Sequence, residues 1–85
     1  MSLYKATITI RLKTSVLDPQ GNAVKGSLHS LGYGEVRDVR IGKTMEVWLD
    51  TPDAGEAEGR VEAMCRELLA NPVIEEYEFR LEKGA

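Results

Sequence analysis

Few residues in this 85-residue chain carry chemical potential, and they are scattered along it. Gly42-Lys43-Thr44 is the tail of a phosphate-binding loop, in which backbone N–H groups and a lysine cradle phosphate oxygens. The full motif needs a glycine five places earlier, where Arg37 stands, and a helix afterwards, where MEVWL alternates like a strand. The triplet is therefore expected to form a hairpin turn. Gly32-Tyr33-Gly34 begins a dinucleotide fingerprint that Arg37 does not complete, and a helix cap followed by a loop explains it better. Cys65, the sole cysteine, stands among Val61, Met64, Leu68 and Leu69 with no obvious base beside it. It reads as a small buried hydrophobe, not a nucleophile. His29, the sole histidine, has no second His and no nearby Cys with which to share a metal. Glu75 and Glu76 are adjacent, but neighbours on a strand face opposite ways and do not easily share one cation. SVLDPQGNAV, residues 15–24, could be a ligand cradle, an active-site loop or a helix start. Asp18 suits an N-cap and Pro19 the first helical position, so helix initiation is expected. Gly21 would permit close backbone approach at an exposed docking corner.

The elements that position these residues follow from periodicity. Tyr4, Ala6, Ile8, Ile10 and Leu12 alternate with Lys5, Thr7, Thr9, Arg11 and Lys13, the signature of a half-buried strand. Val24, Leu28 and Leu31 recur at helical spacing, with Gly32 placed for a left-handed cap. Glu35 to Lys43 carries Val36, Val39 and Ile41, a second strand with a slip that suggests a bulge. Met45, Val47 and Leu49 make a third strand, pairing with the second across the IGKT turn. Val61, Met64, Cys65, Leu68 and Leu69 form the stripe of a second helix, capped by Thr51 or Asp53 and stopped at Asn71-Pro72. Val73, Tyr77, Phe79 and Leu81 share one face of a last strand, with Glu76, Glu78, Arg80 and Glu82 on the other. Gly26 and Gly59 sit inside the two helices at about 1 kcal/mol each relative to alanine.

The order is β-α-β-β-α-β in one domain spanning residues 1–85, an α+β class. It is the ferredoxin-like arrangement, with two helices on one face of a four-stranded antiparallel sheet. The basic outer face of the first strand (Lys5, Arg11, Lys13) should lie beside the acidic outer face of the last (Glu76, Glu78, Glu82). Trp48 alternates with the apolar residues and so falls on the outer sheet face, where an aromatic often marks a protein interface.

Composition narrows the function. Hydrophobic residues make up 42% and charged residues 29%, ordinary for a folded globular chain. A domain this small buries only about 60% of its unfolded surface, so help from a partner surface is expected. A net charge of −3 argues against nucleic acid as a partner. The first strand also lacks the aromatics with which an RNA-binding domain of this strand order stacks bases. TSVLDPQG contains no arginine, so the anion-binding loop of the ferredoxin-like acyl-phosphate hydrolases is missing too. MSLYKATITI lacks a basic, then apolar, leader pattern, and no run approaches a membrane span. With a lone cysteine, a reducing cytoplasmic setting fits best.

Taken in order, LKTSVLDPQGNAV, LHSLGY, EVRDVRIGKTMEV and CRELLANPVIEEY resemble the PurS family over nearly the whole chain, from about Tyr4 to Leu81. PurS chains are small subunits of phosphoribosylformylglycinamidine synthase, in de novo purine biosynthesis. The resemblance implies a homodimeric adaptor without catalytic residues or a cofactor of its own. It would bridge a PurQ-type glutaminase subunit, which releases ammonia from glutamine, and a PurL-type synthetase subunit, which uses ATP and magnesium. Asp18, Gln20, Arg37, Arg40, Lys43, Trp48 and Asn71 are the expected interface residues. A free-standing ferredoxin-like regulatory dimer binding a small metabolite is the alternative.

Overall fold

The computed structural model describes residues 2–84. Strand β1 (Ser2–Leu12) is central, flanked by β2 (Gly42–Thr51) and β3 (Glu75–Lys83), and both pairings are antiparallel. Helix α1 (Pro19–Ser30) lies between β1 and β2 in sequence, and α2 (Ala54–Met64) between β2 and β3. A wider turn over Cys65–Leu69 extends α2. No helix among the described residues is long and apolar enough to cross a membrane.

Register puts the expected residues on each face. Ala6 opposes Val47 and Leu81, and Ile8 opposes Met45 and Phe79, so the apolar rows form one inner face. Helix α2 lies across it. Ala6, Ile8, Ile10, Ala57, Val61, Cys65 and Ala70 are buried there, while Met45, Val47, Leu49, Tyr77, Phe79 and Leu81 are only half-buried at the flanks. One helix about 10 Å wide cannot roof three strands that are about 4.8 Å apart and carry apolar residues on every one. Burial pushes the Cys65 thiol up, as expected for a cysteine used as packing.

On the outer face the charge complementarity becomes contacts. Lys5 Nζ lies 3.2 Å from Glu82 and 3.4 Å from Glu46, and Arg11 Nε donates to Glu76 at 2.9 Å. These bridges join β1 to both neighbours, but as exposed pairs they fix register more than they add stability. Asp53 caps α2 by accepting from Glu56 N–H at 2.9 Å, and Gly32 ends α1 with φ 103°, the left-handed position predicted for it.

Four expectations need correction. Residues 35–41 do not pair as a strand, so the sheet has three strands in a single chain, not four. Gly42-Lys43-Thr44 is not a hairpin turn. Gly42 pairs with Arg11, and the chain runs directly into β2. Nor do two helices cover one face, because α1 makes no substantial packing contact with any strand or with α2. Local alternation marks a segment as suited to a sheet, but it does not say which edge it meets. Val73 also leaves the inner row, falling in the turn before β3, where it is exposed.

The result is elongated. The Cα radius of gyration is 16.7 Å, against about 12 Å for a compact chain of this length, and the extents are 52 × 29 × 14 Å. Helix α1 and the returning segment 31–41 form an arm. Its parts hold each other: Tyr33 N–H donates to the Leu28 carbonyl at 3.0 Å, and His29 Nε2 meets the Val36 carbonyl at 2.8 Å.

Helix glycines separate by environment. A Cβ on Gly59 would meet nothing within 4 Å, so Gly59→Ala should stabilise the chain by roughly 0.4–1 kcal/mol. A Cβ on Gly21 would run into the Val39 carbonyl, and Gly21→Ala should cost roughly 1–3 kcal/mol despite its better helix propensity. Urea denaturation of both variants checks the opposite signs.

Candidate docking interface

The DPQG segment builds a clasp where the arm leaves the sheet. Pro19 supplies a preset φ at the first helical position, and Asp18 precedes it with non-helical φ −117° and ψ 89°. Its carboxylate is only 4% exposed and uses both oxygens: Oδ1 accepts from Gly21 N–H at 2.9 Å, and Oδ2 from Ile41 N–H at 2.8 Å. One side chain thus ties the start of the arm to its end. These two backbone donors, with the Arg40 guanidinium 4.0 Å away, hold the Asp18 carboxyl below the ordinary carboxylate range against the opposing effect of burial.

Arg40 completes the clasp from the returning segment. Its Nη2 donates to the carbonyls of Lys13 at 2.8 Å, Val16 at 3.1 Å and Leu12 at 3.3 Å. These belong to the end of β1 and the loop after it, where the Lys13 carbonyl also accepts from Val16 N–H at 2.9 Å. A guanidinium suits this task because it presents several donors in a fixed plane and stays charged. Gly21 is buried, not an exposed corner, and the backbone it lets approach is the chain's own Val39 carbonyl.

Around the clasp runs an open groove of about 310 Å³, walled by Leu12, Asp18, Gln20, Ile41, Lys43 and Glu75 among others. Four of the seven expected interface residues, Asp18, Gln20, Arg40 and Lys43, therefore gather at one end of the sheet. Asn71 is at the same end. Its Oδ1 accepts from Val73 N–H at 3.1 Å and its N–H donates to Glu75 at 2.7 Å, shaping the turn that delivers Ile74 to Lys13 N–H at 2.8 Å. The other two stand apart. Arg37 lies exposed on the arm, and Trp48, 55% exposed, is on the outer face beside a hollow lined by Leu3, Lys5, Glu82 and Lys83.

Sequence reasoning missed the apolar side chains left in water. Leu17, Leu31, Leu68 and Val73 are each more than 70% exposed, with Tyr33 and Ile74 less so. Leu17 precedes Asp18 of the clasp and Val73 lies in the turn before β3, while Leu31 and Tyr33 lie on the arm. The available signal was one of excess: Leu17 lay between strand and helix and belonged to neither apolar stripe. Chemically, the surface can bind another macromolecule. It offers exposed apolar side chains beside polar and charged ones, the composition of a protein interface.

Comparison with known proteins gives one family. Residues 5–83 match the family model described as PurS: phosphoribosylformylglycinamidine (FGAM) synthase. The chain is 49% identical over 81 residues to the PurS subunit of that synthase from Bacillus subtilis, covering 95% of each chain. It resembles the structure of Thermus thermophilus PurS with a TM-score of 0.85 at 44% identity, covering 98% of this chain and 99% of that one. It also resembles a chain of the PurLQS structure from Thermotoga maritima, with a TM-score of 0.87 at 33% identity, covering 96% and 100%.

The clasp has a pH signature. Because the folded-state acidity of Asp18 is strengthened, its contribution is complete above the ordinary carboxylate pKa of about 4 and is lost as pH falls through the lower folded value. Asp18→Asn removes the charge and faces one of two N–H donors with an amide NH2. The melting temperature near neutrality should fall by roughly 5–10 °C, and the gap from the parent should close below about pH 4. Thermal melts from pH 7 to 3 check this. A constant gap across the range would refute it.

Proposed function

The chain belongs to the PurS family of phosphoribosylformylglycinamidine synthase subunits, and on that premise we propose that it is the non-catalytic adaptor of this ligase. In this reading a single domain, residues 1–85, self-associates and bridges a PurQ-type glutaminase and a PurL-type, ATP-dependent synthetase in the cytoplasm. The observation that carries it is the full-length likeness to a chain of PurLQS. The free-standing regulatory dimer is not favoured beside that likeness.

The role has a physical logic. Ammonia released by a glutaminase is largely protonated near neutral pH, and as ammonium it is no nucleophile. Transfer to a synthetase therefore needs a short route or one that excludes bulk water. A subunit that fixes the distance and orientation of two active sites serves that need without chemistry of its own. The elongated frame suits such a spacer: a stiff sheet with an arm held in one direction by Asp18 and Arg40. Gln20, Arg37, Lys43, Trp48 and Asn71 then make the contacts, while Asp18 and Arg40 set the angle at which they are presented. The four-stranded ferredoxin-like sandwich belongs, in this reading, to the assembled subunit and not to one chain.

Reconstitution tests it. Synthetase and glutaminase subunits mixed with the chain should show glutamine-driven turnover that falls at least about tenfold when the chain is omitted, while turnover on added ammonium salt persists. Undiminished glutamine-driven turnover without the chain would overturn the proposal. Trp48→Ala should weaken complex formation by roughly tenfold if Trp48 is an anchor, read by titration of the labelled chain into its partners.

A further inference from the structure

Arg40 is among the expected contact residues, yet its side chain is only 28% exposed and its donors are spent within the chain. Nη2 meets one carbonyl from each of Leu12, Lys13 and Val16, and Nε lies 4.0 Å from the Asp18 carboxylate. Among the described residues, the side-chain hydrogen bonds that tie residues 19–41 to the rest of the chain involve Asp18 and Arg40 alone. The two differ in what they hold. Asp18 immediately precedes the arm, so its bonds to Gly21 and Ile41 close the base of the arm on itself. Arg40 reaches back to the last residue of β1 and the loop beyond it, and so relates that base to the sheet. Its acceptors are themselves anchored, because Lys13 N–H donates to the Ile74 carbonyl at 2.8 Å in the turn before β3.

We propose that Arg40 is a positioning residue for ammonia transfer: it touches no partner, and by fixing the angle between arm and sheet it controls how much of the ammonia released by the glutaminase reaches the synthetase. Three carbonyls around one nitrogen hold that nitrogen at a point, which a single hydrogen bond does not do. A permanently charged, planar donor keeps the arrangement at every physiological pH. Without it, the loop after β1 and the junction of Ile41 with Gly42 become pivots. Helix α1 makes no substantial packing contact with a strand or with α2, so apolar packing within the chain does not resist the rotation.

Leverage makes the angle matter. Helix α1 is about 18 Å long, so a rotation of about 10° at the clasp moves its far end by about 3 Å. Misplacement of about 1 Å is already enough to spoil a reaction that depends on alignment. Whatever is docked on the arm is therefore shifted, relative to whatever is docked on the sheet, by more than a transfer route tolerates. Each partner keeps its own active site, so neither half-reaction needs to stop. Glutamine is still hydrolysed, but ammonia that escapes to bulk water is protonated there and is lost as a nucleophile. The signature of a loosened clasp is thus leakage: more glutamate released than amidine formed.

This inference rests on the adaptor reading above and assigns part of it to one residue. The test reconstitutes the full chain, at saturating concentration, with the glutaminase and synthetase subunits and counts glutamate against amidine product. Coupled transfer gives equal amounts, and Arg40→Met should raise the ratio at least about twofold. Arg40→Lys restores a cation with three donors and should bring the ratio back toward equality. A residue that only supported folding would lower the amount of complex and both products together, leaving the ratio in place. The angle itself is read from the distance between spin labels on Ser27→Cys in α1 and Glu78→Cys on β3, in labelled chain diluted with unlabelled copies. Cys65 is buried and escapes labelling. The distance distribution should widen with Arg40→Met, and Arg40→Gln carries the same two readings if Arg40→Met does not fold. Equal products, or a distribution as narrow as the parent's, would overturn the role of Arg40 and leave the adaptor reading intact. Glutamine-driven turnover that needs no chain at all would overturn the adaptor reading instead.

Discussion

The fold turns on one carboxylate. Asp18 accepts one N–H from the first turn of α1 and another from Ile41, where the chain is about to enter β2. Those two donors are 20 residues apart in sequence, and the span between them is the whole arm. Without that closure the arm has only its own short helix and a few loop hydrogen bonds, because its apolar residues find no place in the core. Arg40 adds direction to closure by gathering three carbonyls from the end of β1. Hydrogen bonds to a charged group stabilise by about 1.5–3 kcal/mol, comparable to burying a large side chain. In a chain with so narrow a core, polar chemistry at the hinge decides shape as much as apolar packing does.

The two halves of the molecule are built on different principles. The sheet and α2 follow ordinary amphipathic logic: a central strand buried by its neighbours, a helix across it, and salt bridges on the wet side that hold register. Tyr77 shows how closely the layers are tied, donating from its hydroxyl to Glu62 on α2 at 2.6 Å. That bond is also the main reason the phenol is harder to ionise. The arm instead has surface on nearly every side, and its shape is defined by capping, by Gly32 in the left-handed region and by the clasp.

Legibility in the sequence divides along the same line. Where structure comes from a residue and its near neighbours, the pattern mostly predicted it: the period of β1, the Asp18 cap with Pro19, the Gly32 terminus, Asp53 as one of two candidates for the second cap, and buried Cys65. The pairing of β1 with β3 was readable as well, because charges on their outer faces are complementary. What failed was the destination of residues 35–41. Their alternation suits a strand, but alternation describes a strand's faces and says nothing about which edge, if any, it meets. For the interface, Asp18 and Arg40 were identifiable as residues of consequence through the family resemblance, yet their action as a buried clasp required coordinates. Exposure of Val73 was invisible because its place in the apolar alternation of the last strand counted it toward the core.

The half-roofed sheet has a consequence for the life of the chain. Seven buried apolar residues among those described leave little margin for an isolated copy, and anything that covers the remaining flanks would bind the folded state but not the unfolded one. Survival then depends on mass action: a copy with company is protected, and a surplus copy opens more often and meets proteases sooner.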